Sequence, residues 1–126
     1  MCGIFAYFGP KKNGISLVIE GLKKLEYRGY DSWGIVDKRG DEFFIHKQVG
    51  KIGESNTSEL ERIYALKNVG QKKQSPAMTM GHSRWATHGG VTDYNAHPHF
   101  SENQEIVVIH NGIFENYLEI KENLLA

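Results

Sequence analysis

The single cysteine of the sequence stands second, in the run MCGIFAYFG, directly behind Met1. Loss of Met1 would leave Cys2 with a free α-amine, whose pKa of about 7.7–8.0 makes it a usable base near neutrality. A thiol attacks as its thiolate, and an amine on the same residue can take the proton directly or through water, with no histidine needed. Gly3 leaves room beside the sulfur. The plainer alternative is a small buried hydrophobe ahead of an alternating apolar run. Two more clusters carry polar groups beyond what packing asks for: GHSRWATHGG, from Gly81 to Gly90, and HNG, from His110 to Gly112. Asn111-Gly112 pairs a side-chain amide donor with an unobstructed backbone N–H, the composition of an oxyanion hole. Losing one such donor costs about 2.7–4 kcal/mol in acyl transfer. Asn-Gly is also the commonest hairpin dipeptide, although a strand-to-helix context weakens that version here. Arg84 offers a planar fork for a carboxylate, with Thr87 and His88 adding hydrogen bonds, unless it makes an ordinary surface ion pair. Nucleophile, oxyanion donors and carboxylate clamp together spell thiol acyl transfer.

The histidines admit a second chemistry. His82, His88, His97, His99 and His110 could be read as a metal site, with His97-Pro98-His99 as a ligand pair. Against that reading, there is no HExxH or CxxC motif and no carboxylate at a diagnostic spacing. No GxGxxG or GxxxxGK[ST] loop occurs among the fourteen glycines, so no phosphate cradle is expected.

The elements that must position these groups follow from periodicity and turn chemistry. Ile4 to Phe8 reads as a strand ended by Gly9-Pro10. Ile15, Val18, Ile19, Leu22 and Leu25 form one stripe of an amphipathic helix closed by Gly29. Ser32–Val36 and Glu42–Gln48 read as a hairpin turned at Lys38-Arg39-Gly40-Asp41. A second helix is predicted from Ser58, capped by its hydroxyl and by Glu61, with Leu60, Ile63 and Tyr64 inward. The basic stretch Lys67–Pro76 reads as a solvated loop, and Ala77–Ser83 as a strand before a long polar loop holding Gly89, Gly90 and Pro98. Glu105–His110 is predicted as a strand buried on both faces. Asn116 and Glu119 are expected to cap a last helix with Tyr117, Ile120 and Leu124 on its apolar side. Both internal clusters fall where a strand hands over to a loop, the usual place for functional groups.

The 126 residues suit one domain at most. Fifteen basic and fifteen acidic side chains cancel, so no electrostatic footprint for nucleic acid or an anionic membrane is present. The apolar run Ile106–Ile109 is far too short to span a bilayer. No charged leader with an apolar segment opens the chain, and one cysteine allows no internal disulfide, so a cytoplasmic protein is expected. The last helix ends at Ala126 without a glycine or basic turn, which reads as a truncation of a larger domain or a split gene product.

In their order, CGIFAYFG, LEYRGYDSWGI, GHSRWATHGG, NAHPH and VVIHNGIFENY resemble the N-terminal glutaminase domain of the glutamine–fructose-6-phosphate aminotransferase (glucosamine-6-phosphate synthase) family, among class II glutamine amidotransferases. The resemblance covers nearly the whole chain. It implies an α+β fold, the N-terminal part of an Ntn-hydrolase αββα sandwich, with residues 1–126 a partial glutaminase domain and the sugar-isomerase domain absent. It implies Cys2 as nucleophile, Asn111 and Gly112 as oxyanion donors, and Arg84, Trp85, Thr87 and His88 as glutamine-binding residues. Arg28 and its RGYDS neighbours would shape the pocket. No cofactor and no metal are implied. The implied partners are L-glutamine and an isomerase domain, fused or in trans, that turns fructose 6-phosphate into glucosamine 6-phosphate within a homodimeric full-length enzyme. An acidic residue that holds the glutamine α-amine is implied beyond the last helix. Two readings compete with an active glutaminase: a half-domain active only beside its remainder, and a histidine metal-binding module. Trp33 departs from the family pattern, which has a small residue at that point of RGYDSxG.

Overall fold

The computed structural model describes residues 1–10, 13–40, 42–67 and 76–126. Strands β1 (Gly3–Gly9), β2 (Ser32–Arg39), β3 (Glu42–Val49) and β4 (Ala77–Arg84) form one antiparallel sheet in the order β1-β4-β2-β3. Helices α1 (Gly14–Leu25) and α2 (Thr57–Lys67) pack on one face of it. Strands β5 (His99–Phe100) and β6 (Val107–Val108) make a separate two-stranded ribbon, followed by α3 (Tyr117–Leu125). The class is therefore α+β with antiparallel sheets, as the sequence implied.

Of the stripe predicted for α1, all but Leu25 is buried; Leu25 is half-buried at the end of the helix, which passes into a 3-10 turn over Glu26–Arg28 before Gly29. Ile15, Val18, Ile19 and Leu22 meet Trp33 and Ile35 of β2, with Ile52, Leu60 and Tyr64 closing the far side. Burying each such aliphatic side chain stabilises the fold by about 1.5–3 kcal/mol. Gly81 lets the helix approach: a Cβ there would stand 2.7 Å from Leu22 and 2.8 Å from Val18. Trp33, the departure from the family pattern, is 1% exposed within this core. Its Nε1 donates to Ser55 Oγ at 3.1 Å and its ring lies 5.1 Å from His46. The space for the large ring thus comes from the α2 side of the sheet, away from the cavity described below.

Several expectations are corrected. The hairpin strands run further than predicted, pairing Lys38 with Phe43 and Arg39 with Glu42, because β pairing holds wherever the two backbones stay in register. The cap of α2 is Asn56, whose Oδ1 accepts the Glu59 N–H at 3.2 Å, so Ser58 lies inside the helix instead of opening it. Of the face predicted for α2, Leu60 and Tyr64 are buried while Ile63 is exposed.

The largest correction concerns the last strand. Glu105–His110 shrinks to the two-residue β6, with Ile106 68% and Val108 52% exposed. An apolar run becomes a doubly buried strand only when layers cover both faces, and among the described residues β6 pairs with β5 alone. The apolar side of α3 is exposed likewise, and Asn116 sits at its N-cap position without a side-chain capping bond. Of the predicted basic loop, residues 68–75 lie outside the described residues. Among the described residues no helix is long and apolar enough to cross a membrane.

Candidate active site

Antiparallel pairing of β1 with β4 sets Gly3 opposite Ser83, which brings the start of β1 beside the end of β4. Cys2, just ahead of β1, therefore meets Trp85, just beyond β4. The Trp85 N–H donates to Cys2 Sγ at 3.3 Å, and Sγ lies 3.6 Å from the Trp85 carbonyl. Cys2 is half-buried, whereas Met1 is 78% exposed.

Side chains alternate along β4, so His82 and Arg84 share the sheet face turned away from α1. Both are buried. The Arg84 guanidinium donates to His88 O at 2.6 Å and to Gly90 O at 3.0 Å, and the loop after β4 wraps around it. Of the five N–H donors a guanidinium carries, these bonds use two, which leaves capacity for an anionic ligand. Asp31, from the RGYDS stretch, anchors the same loop: one carboxylate oxygen accepts the Ala86 N–H and the other the Ser32 hydroxyl. Trp85 rests edge-on against Tyr30, with ring centroids 5.1 Å apart.

Further along, the loop is tied across β2 and β3. Lys47 Nζ donates to Tyr94 O at 2.9 Å and to Pro98 O at 3.4 Å, and Asp93 accepts the Val49 N–H at 2.7 Å. Gly34 permits this crossing, because a Cβ there would stand 2.1 Å from the His97 carbonyl. The His97–Pro98 peptide bond is cis. The crossing brings three imidazoles together, His82 tilted against His97 at 4.6 Å and His97 edge-on to His99 at 4.5 Å. Burial pushes the pKa of His97 down to about 4, helped by the neighbouring His82 and His99. His82 and His99 are lowered too, burial again being the first cause. Among the described residues no group of three His, Cys, Asp or Glu side chains is arranged to hold a metal ion.

These pieces enclose a cavity of about 900 Å3. Cys2 lies on its wall together with Asn111 and Gly112 from the loop after β6. Arg84, Trp85, Thr87 and His88 line it from the loop after β4, and Arg28 from the turn after α1. All eight site residues that the resemblance implied thus border one space. Among the lining residues that the sequence reading did not assign to this site are His82, His97 and Tyr117. His82 was legible in retrospect: it precedes Arg84 by two, and period-2 alternation sets both on one face. Its Nε2 stands 2.6 Å from Asn111 Oδ1. With a thiol, an amide donor, buried guanidinium and a largely pre-formed volume, the arrangement suits attack on a small amide-bearing ligand.

No family model matches the chain. It is 47% identical over 127 residues to glutamine–fructose-6-phosphate aminotransferase (isomerizing) of Chlamydia pneumoniae, a match taking in 100% of this chain and 19% of that protein. The enzyme of the same name from Thermus thermophilus is 47% identical over 126 residues, covering 100% of this chain and 19% of the relative. For that of Pyrococcus horikoshii the identity is 47% over 125 residues, covering 99% and 19%. The chain thus spans about a fifth of the length of these relatives. Over essentially its whole length, this chain is homologous to the N-terminal 19% of glutamine–fructose-6-phosphate aminotransferases.

Proposed function

We propose that the chain carries the glutamine-hydrolysing half-reaction of an amidotransferase. Cys2, freed of Met1, loses its thiol proton to its own α-amine, and the sulfur attacks the side-chain amide carbon of glutamine. A C–S bond forms and the carbonyl oxygen takes the negative charge, held by the Asn111 amide and the Gly112 N–H. Collapse of this intermediate breaks the C–N bond. The α-ammonium returns its proton to the departing nitrogen, so ammonia leaves and a glutamyl thioester remains. Water then hydrolyses the thioester to glutamate and restores the thiol. Arg84 and the loop it organises, with Thr87 and His88, receive the α-carboxylate end, while Trp85 folds over the ligand and Arg28 supports the pocket.

The observation that carries this reading is the convergence of all eight residues on one cavity, with Cys2 Sγ under the Trp85 N–H. The names of the relatives support glutamine and fructose 6-phosphate as the substrates of the whole enzyme. We accordingly read residues 1–126 as part of a glutaminase domain of Ntn-hydrolase αββα type, working in the cytoplasm. The ammonia would serve an isomerase domain in a homodimer that makes glucosamine 6-phosphate. The test is ammonia release from glutamine by chain lacking Met1, with C2A as control. Equal release from both would end the proposal.

The exposed apolar surface of Ile106, Val108, Ile113, Phe114 and α3 favours a second reading, in which turnover requires further protein packed on this side. Supplying the remainder of the glutaminase domain in trans then raises turnover well above that of either piece alone. Full activity without it would exclude this version.

A further inference from the structure

We propose that His82 is a positioning residue for the oxyanion site: its Nε2–H, donated to Asn111 Oδ1, turns the amide so that Nδ2 presents its hydrogens to the cavity. The inference rests on the reading of Asn111 as an oxyanion donor. An asparagine amide is planar with two nearly isosteric ends, and flipping it would aim the carbonyl oxygen at the ligand. An oxygen there would repel a developing oxyanion instead of holding it. Something must set the flip, and Asn111 sits on an exposed loop that does not set it alone.

His82 meets the requirement on three counts. It lies on strand β4, paired with Ile4 on one side and Gly34 on the other, so its backbone is held from both sides. Its ring is held against His97, whose segment is tied down through Lys47 and Pro98. Its Nε2 to Asn111 Oδ1 distance of 2.6 Å makes this a short hydrogen bond.

The direction of that bond follows from the other ring nitrogen. Among the described residues, buried His82 Nδ1 has no hydrogen-bond partner. A neutral imidazole carries one proton. Placing it on Nδ1 would bury an unpaired N–H donor, whereas placing it on Nε2 leaves only an unpaired acceptor, the lesser penalty. Burial, with Arg84 nearby, keeps the ring neutral, and the second proton that would bring the Nδ1 donor back stays off. The donating tautomer thus selects the amide orientation that an oxyanion requires.

The experiment has two arms on the Met1-free chain, supplemented with the remainder of the domain if turnover needs it. The first assigns the His82 tautomer by imidazole 15N resonances. A protonated Nε2 coupled to Asn111 and a bare Nδ1 are expected, and a protonated Nδ1 overturns the proposal. The second compares H82L and H82Q for ammonia release. H82L is expected to lower kcat about 10- to 100-fold, short of the about 10²–10³-fold loss on removing an oxyanion donor, with KM for glutamine nearly unchanged. H82Q keeps a donor of similar reach and is expected to recover most of the rate, and H82L is expected to add little to N111A. Wild-type kcat in H82L, or equal losses in H82L and H82Q, would overturn the inference. If wild type releases no ammonia under any supplement, the glutaminase reading falls and the role of His82 at an oxyanion falls with it, whereas a protonated Nδ1 in an active chain overturns the role of His82 alone.

Discussion

Replacing Arg84 by lysine should loosen the loop that carries Trp85, Thr87 and His88 without removing the positive charge. The guanidinium now bridges two carbonyls, His88 O at 2.6 Å and Gly90 O at 3.0 Å. A lysine ammonium is a point donor and cannot span both with the arginine fork's geometry. Gly90 O keeps a second donor, Asn95 Nδ2 at 3.0 Å, so the uncompensated loss falls on His88 O. A hydrogen bond to a charged group contributes about 1.5–3 kcal/mol, and the low end applies because water can reach this exposed loop. About 1.5 kcal/mol is roughly a tenfold shift in the population of the ordered loop. If that loop receives glutamine, R84K raises KM about tenfold with kcat nearly unchanged, since the contact is made equally in ground and transition states. Coupled ammonia detection over a range of glutamine concentrations gives both constants. Limited proteolysis between Trp85 and Gly90 reports loop order independently of substrate. Wild-type KM together with wild-type protease resistance would refute the reasoning.

Other perturbations test other parts of the structure. W33A empties a core site that is 1% exposed and should cost about 3–5 kcal/mol in urea unfolding. W33F keeps most of the volume and loses chiefly the bond to Ser55, about 0.5–1.5 kcal/mol. N56A should destabilise α2 by about 0.5–2 kcal/mol while S58A changes little; the reverse order would restore the cap predicted from sequence. The imidazole cluster predicts acid sensitivity of the fold. The pKa of His97 is held down to about 4 in the folded chain and is near 6.5 unfolded, so between these values the unfolded state binds more protons. Its contribution to stability is therefore complete above about pH 6.5 and is lost as the pH falls toward 4, with His82 and His99 acting in the same direction. Urea midpoints measured from pH 7 to 4.5 should fall, and H97Q should flatten the slope; an equal slope in both proteins would count against the cluster as its source.

How much of this was legible in the sequence depends on what each residue answers to. Ile15, Val18, Ile19 and Leu22 answer to a local period of 3.6, and the structure buries that stripe. That the candidate site residues border one cavity was foreshadowed by their positions at strand ends, which survive without knowledge of packing. The resemblance to the aminotransferase family is borne out by the relatives. Val107 and Val108 were misjudged because burial is a property of neighbouring layers, which an apolar run cannot reveal. Asn56 was passed over for Ser58 because both are good caps, and only backbone geometry at the helix start separates them. The partnership of His82 with Asn111 joins residues 29 apart in sequence, and no local pattern reports a contact of that kind.

The central claim is that Cys2 attacks as an N-terminal nucleophile in the cavity it borders. The most direct measurement is the mass of the N-terminal peptide after treatment of folded chain with an electrophilic glutamine analogue. The account predicts a single adduct on Cys2, formed only on molecules that have lost Met1 and suppressed by excess glutamine. Absence of an adduct on folded, Met1-free chain, or labelling indifferent to both glutamine and Met1, would contradict it.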